Sequence, residues 1–124
     1  MLIKTSEAIG FQLDWLVAKC EGVTLTEHID GNYSWLEHEV TGNWVTYSPS
    51  TDWSQGGPII EREKISIGYE RYGAQGGETW DAVKKAFDDT VLWLEYAPTP
   101  LIAAMRCFCA SKLGDEVEIP EELK

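Results

Sequence analysis

Ile9, Leu13, Leu16, Val17 and Cys20 recur at helical spacing and form one stripe, while Ala8, Phe11, Trp15 and Ala18 occupy another face. A helix is predicted over Ser6 to Glu21, with Ser6 as its cap, Glu7 in the first turn and Gly22 as the stop. Two apolar faces imply cover on both sides. From Val23 to Ile29 the period changes to two: Val23, Leu25 and Glu27 alternate with Thr24, Thr26 and His28, as in a half-buried strand. Asp30-Gly31-Asn32 is a turn signal, and Tyr33 to Val40 returns as the hairpin partner. Thr41-Gly42 breaks the pattern before another strand, Asn43 to Ser48.

Pro49 to Pro58 has no periodicity and reads as a loop. Alternation resumes over Ile59 to Tyr69, with Ile65, Ile67 and Tyr69 on one face. Gly73-Ala74-Gln75-Gly76-Gly77 reads as a flexible surface excursion. Thr79 can cap a short helix from Trp80 to about Asp88, with Trp80, Val83, the Lys84 stem and Phe87 inward. Val91 to Tyr96 fits a strand or a continuation of that helix. Thr99-Pro100 opens a last helix that runs to Leu113 and stops at Gly114. The acidic tail can add an edge strand through Val117 and Ile119. With no internal repeat and no long linker, the expectation is one α+β domain over residues 1–124. It combines an antiparallel sheet with two main helices and one short helix.

Composition narrows the classes. The chain has 124 residues and 44% apolar content, enough for one core without staples. Against 21 Asp and Glu stand 10 Lys and Arg, a net charge of -11. Direct nucleic-acid binding and adhesion to an anionic membrane are therefore not expected, since both need clustered cations. Residues Met1 to Glu7 lack a secretory pattern, and no apolar run is long enough to cross a membrane. Three cysteines, Cys20, Cys107 and Cys109, lie in apolar helical contexts and read as reduced thiols packed as small hydrophobes. A cytoplasmic protein follows.

Candidate chemistry concentrates in Tyr47-Ser48-Pro49-Ser50-Thr51-Asp52-Trp53-Ser54-Gln55-Gly56-Gly57-Pro58. Such a loop suits a polar ligand with a flat ring. Trp53 or Tyr47 would stack, Ser50, Thr51, Asp52 and Gln55 would supply directional hydrogen bonds, and Gly56-Gly57 would let the backbone approach closely. The plainer alternative is a long hairpin connection anchored to the core by Trp53. The helix start at Thr99 is a potential anion seat, with Arg106 or Arg62 assisting; ordinary capping explains Thr99 as well. No metal is expected. His28 and His38 match no ligand spacing, and Cys107 and Cys109, two apart on a helix, point about 200° from each other. Glu61 and Glu63 would share a strand face near Asp52, an arrangement that acid–base chemistry can use. No nucleophile elbow, phosphate loop or zinc-protease pattern accompanies them, so a non-enzymatic protein without cofactor is expected. Six tryptophans read as core, interface anchors or ligand walls, and they favour a homo-oligomer.

Three blocks resemble the NinX-like proteins of tailed phages and prophages. They are Lys4-Thr5-Ser6-Glu7 with Leu13 to Gly22, then Tyr47 to Glu63, and then Pro98 to Arg106 with Ala110 to Val117. Ala97 stands where that pattern has glycine. The resemblance implies a small phage accessory protein in the bacterial cytoplasm, with no catalytic residues to carry over. The loop chemistry and the acidic balance lead to two expected functions: capture of a small polar, nucleotide-like ligand such as a host signal, or an acidic module that blocks a host or phage nucleic-acid-binding protein.

Overall fold

A computed structural model of the chain describes residues 1–31, 33–71, 73 and 77–123. The order is β1 (Leu2–Lys4), a 3-10 turn (Thr5–Glu7), α1 (Gly10–Glu21), β2 (Thr26–Asp30), β3 (Tyr33–Val40) and β4 (Asn43–Thr46). Then follow α2 (Trp53–Glu63), β5 (Ser66–Glu70), β6 (Thr79–Lys85), β7 (Val91–Ala97), α3 (Pro100–Leu113), β8 (Glu116–Glu118) and a last 3-10 turn (Glu121–Leu123). The fold class is α+β, and the antiparallel strands divide into three sheets: β1-β8, β2-β3-β4 and β5-β6-β7.

Helix α3 is the centre. Residues Leu101 to Ala110 are all buried, Thr99 Oγ1 accepts the Ile102 N–H at 3.2 Å, and Gly114 caps the end. Because α3 is covered all round, it packs against α1, α2, β5, β6, β7 and the first 3-10 turn. The predicted limits of α3 and of β3 hold, and Gly22 ends α1 at φ 69°.

Four expectations change. Ser6 does not cap α1, which begins only at Gly10. Thr5 is buried instead, its hydroxyl donating to Gly114 O at 3.0 Å and its N–H to Asp115 O at 2.9 Å, and this ties the chain to the end of α3 before the helix can start. The stretch read as a loop and then a strand, Pro49 to Glu63, contains α2. The Ser54 N–H donates to Asp52 Oδ1 at 2.9 Å, and this cap with packing on α3 overrides the poor propensity of Gly56, Gly57 and Pro58. Glu61 and Glu63 therefore sit on a helix, and the first is exposed while the second points inward. The short helix expected over Trp80 to Asp88 is the central strand β6, with Ala82 fully buried and Phe87 fully exposed in the hairpin turn. Trp80 and Val83, three apart, share a face of a helix but lie on opposite faces of a strand, and pairing on both edges makes the segment a strand. Asn32 and residues 74–76 of the glycine-rich excursion lie outside the described residues.

One ionic cluster ties the ends of four elements together. Arg62 Nη1 and Nη2 each donate to the Glu21 carboxylate at 2.9 Å, and its Nε donates to Glu63 at 2.9 Å. Glu63 also accepts from Lys84 Nζ at 2.8 Å and lies 3.6 Å from Lys112 Nζ. The Lys84 ammonium, and after it the Arg62 guanidinium, hold the Glu63 carboxyl at about 2, below its ordinary 4.5. A glutamate depressed on folding stabilises above its unfolded value and loses that contribution as pH falls through its folded one. Glu63→Gln should lower stability by about 1 kcal/mol at pH 7 in urea titrations, with the gap to wild type closing between about pH 4.5 and pH 2.

Candidate functional site

The Tyr47–Pro58 block folds into a fastened knot. Tyr47 donates its N–H to Leu36 O at 2.7 Å, and its ring meets His38 edge-on at 4.8 Å. The ring is buried, which pushes the phenol well above its ordinary value. Gln55 Oε1 accepts the Ser48 N–H at 2.7 Å and Nε2 donates to Thr46 O at 2.8 Å, so both edges of that carboxamide are engaged. The N–H groups of Thr51 and Asp52 both go to Ser48 O. Ser50 is buried and donates its N–H to Asp14 Oδ1 at 2.8 Å, joining the block to α1. Burial pushes the Asp14 carboxyl up to about 6, against the lowering pull of the Ser50 N–H.

The glycines divide the work. A Cβ on Gly56 would strike the Pro49 carbonyl and come within 2.6 Å of Leu101 Cδ1, so this position seats α2 against the start of α3. On Gly57 a Cβ would meet nothing within 4 Å. Trp53, one turn earlier on the same face, is 53% exposed. Among the expected ligand residues, Trp53 with Gly57 and the exposed Thr51 thus form an open rim.

The remaining expected residues serve other contacts. Asp52 and Thr99 cap α2 and α3. Arg62 is held by Glu21 and Glu63 and lies 5.7 Å from the Phe108 ring. Arg106 is buried, donating Nε to Ala8 O and Nη1 to Tyr96 O, each at 2.8 Å. Burial lowers the pKa of its guanidinium. The Gly56–Leu101 contact brings the block near Thr99, whereas the two arginines are directed to separate partners. Ala97 closes β7 with its carbonyl accepting the Thr79 hydroxyl at 3.2 Å. An open recess of about 390 Å³ lies elsewhere, lined by Leu2, Ile3, Lys4, Glu7, Ala8 and Gln12.

A second surface escaped the sequence reading. From Cys20 to Glu61 the chain contains no Lys or Arg, and β2–β4 lie inside that interval. Leu36 is the buried residue of β3 and directs its face toward α1. By alternation, Tyr33, Trp35, Glu37 and Glu39 share the opposite face, and the register adds Asp30, His28, Trp44 and Thr46. Tyr33 is 76% and Trp44 56% exposed. Trp35 stacks on His28 at 5.1 Å, and His28 Nε2 lies 2.7 Å from Glu37 Oε1. His38 falls on the Leu36 face, so the two imidazoles project to opposite sides and cannot share an ion. Among the described residues no three His, Cys, Asp or Glu side chains are grouped to hold a metal, and no helix is long and apolar enough to cross a membrane. The missing signal was local: charge segregation within the interval, superposed on the strand period.

The sequence model of the family described as Bacteriophage P22, NinX matches residues 4–112. The chain belongs to the NinX family. No curated protein matches it. The block that carried the resemblance, Tyr47 to Glu63, consists here of the knot and α2. In this NinX-family chain, Gln55, Gly56 and Asp52 each have an internal task.

Two predictions follow from the knot. Gly56→Ala should destabilise by about 2 kcal/mol through overpacking, while Gly57→Ala should be neutral or stabilise by up to about 1 kcal/mol, both read by chemical denaturation. Asp14 is raised on folding, so the native state favours its protonated form, and stability from this group rises as pH falls from above 6 toward 3.8. Between pH 7 and pH 4 the wild type should gain about 2 kcal/mol relative to Asp14→Asn, read as the difference between the two proteins' melting curves.

Proposed function

We propose that this phage accessory protein is an interaction module that docks the outer face of β2–β4 onto a basic surface of a host or phage protein. The surface that such a partner uses for nucleic acid is the best match. The observation that carries this reading is a face bearing Asp30, Glu37 and Glu39 among Tyr33, Trp35 and Trp44, within an interval free of Lys and Arg. Carboxylates steer a cationic partner, and half-exposed aromatic rings give the contact area that holds it. A second copy of the chain is a poor occupant, because two acidic faces repel each other. The setting is the bacterial cytoplasm, where both phage and host proteins present such surfaces.

Host lysate passed over the immobilised chain tests it. The captured protein should be released by added double-stranded DNA and by salt near 0.5 M, where surface charges are screened within about 4 Å. The triple variant Glu37→Gln, Glu39→Gln, Trp44→Ala should lose that capture while keeping its melting temperature within a few degrees. Retention by the variant, or release by neither DNA nor salt, would overturn the reading.

The small-ligand reading keeps one supporting observation, the half-exposed Trp53 ring beside the uncovered Gly57. Nucleotides at millimolar concentration would then raise the melting temperature of the wild type and not of Trp53→Ala.

A further inference from the structure

We propose that two copies of this chain associate through the outer face of the β5-β6-β7 sheet, packed sheet on sheet about a two-fold axis near Leu94. Helix α3 packs on all three strands and covers one face of the sheet, that of buried Ala82 and Ala97. On the other face, alternation along β7 places Leu94 and Tyr96, and the register sets Val83 of β6 opposite Leu94. The register shift between Lys84 and Lys85 brings Val91 opposite Lys85, on this same face. Val91, Leu92, Leu94 and Tyr96 are each about half exposed, and Phe87 at the hairpin tip is fully exposed. So many exposed apolar side chains on one hairpin exceed the scattered singles of an ordinary surface.

Charge selects the occupant. The chain carries a net charge of -11, so two copies repel unless they meet where carboxylates are sparse. Between Thr90 and Gly114 the charged residues are Glu95, Arg106 and Lys112, and Glu95, opposite Ala82, lies on the α3 side. The outer face of β6 has Asp81 toward the Tyr96 end and Lys85 toward the Val91 end, and Glu70 of β5 adds a second carboxylate at the Asp81 end. The Asp81 carboxylate lies over Gly68, where a Cβ would come within 2.8 Å of its Oδ1, and the middle of the face is left to Val83 and Leu94. Reversing one sheet over another sets Leu94 against its symmetry mate and Lys85 of each copy against Asp81 of the other. At the hairpin tip, Asp88 Oδ1 accepts the Thr90 N–H at 3.1 Å and serves the turn itself.

Strand β7 is also an edge of its sheet, yet edge-to-edge pairing is opposed at both of its ends. The Tyr96 carbonyl accepts Arg106 Nη1 at 2.8 Å, and the register shift opposite Lys85 interrupts the ladder where β7 begins. Association therefore uses side chains and not the ladder. Two sheets aligned within roughly 30° and about 10 Å apart would put Leu94 and Val83 at the centre, with the Lys85–Asp81 pairs at the rim. This face is distinct from that of β2–β4, so the two associations can be tested separately.

Sedimentation of the full chain should give twice its 13.9 kDa mass. Leu94→Glu brings two carboxylates together at the axis and should weaken self-association at least about a hundredfold, and Leu94→Lys should do the same with two ammonium groups. Mixing these two variants in equal amounts should restore the dimer, because opposite charges then meet at the axis of a face that contacts itself. Trp44→Ala, on the other sheet, should leave the dimer unchanged. A wild-type monomer at about 0.1 mM, where a micromolar interface is almost fully formed, overturns the proposal. So does a dimer that survives Leu94→Glu, a dimer lost in Trp44→Ala, or a mixture that stays monomeric. Should the Leu94 variants fail to fold, Lys85→Glu decides: it should weaken the dimer about tenfold, and an unchanged dimer overturns the proposal.

Discussion

Helix α3 has no face that can meet water. Ten consecutive residues, Leu101 to Ala110, are buried, and the alanines and cysteines among them let neighbouring elements approach closely. Such a helix is stable only if other parts of the chain close around it on every side, and the architecture is the result. The sheet β5-β6-β7 covers one side, α1 and α2 cover others, and the β1-β8 ribbon with the Thr5 turn ties the two ends of the chain beside it. Even a charged residue is drawn in: Arg106 is accommodated because the carbonyls of Ala8 and Tyr96 accept its N–H groups.

Covering α3 uses up much of the chemistry that first looks like a binding loop. Asp52 is needed to start α2, Gln55 to hold the chain before it, Gly56 to admit Leu101, and Arg62 to clasp Glu21 and Glu63. Polar residues in an irregular stretch can serve a ligand or satisfy the backbone, and rarely both with the same atoms. The acidic meander has no such burden. It touches the core through Leu36 and leaves its outer face to aromatic rings and carboxylates, an arrangement that contributes little to folding and suits association.

Particular residues show how far the chain could be read unaided. Tyr33 to Val40 was legible because a turn signal precedes it and a Thr-Gly break follows it. The last helix was legible because Thr99-Pro100 and Gly114 bracket a long apolar run. Helix α2 was hidden by Gly56, Gly57 and Pro58, whose low helix propensity is outweighed by a cap and by contacts with residues distant in sequence. Strand β6 was hidden because Trp80, Val83 and Phe87 recur at helical spacing, and only pairing with β5 and β7 on either side overrides that signal. At the expected site, whether each side chain faced inward or outward could not be told from spacing.

By itself the sequence determined what depends on neighbours along the chain: the α+β class, the hairpin, the capped last helix, the acidic balance and the membership in a phage family. Tertiary structure decided what depends on partners far along the chain. It made α2 a helix and β6 a strand, engaged Gln55 and Arg106 in internal hydrogen bonds, and gathered Asp30, Glu37, Glu39 and Trp44 on one face. Periodicity and capping are local and can be read in one dimension, whereas burial and side-chain contact exist only after the chain has closed around α3.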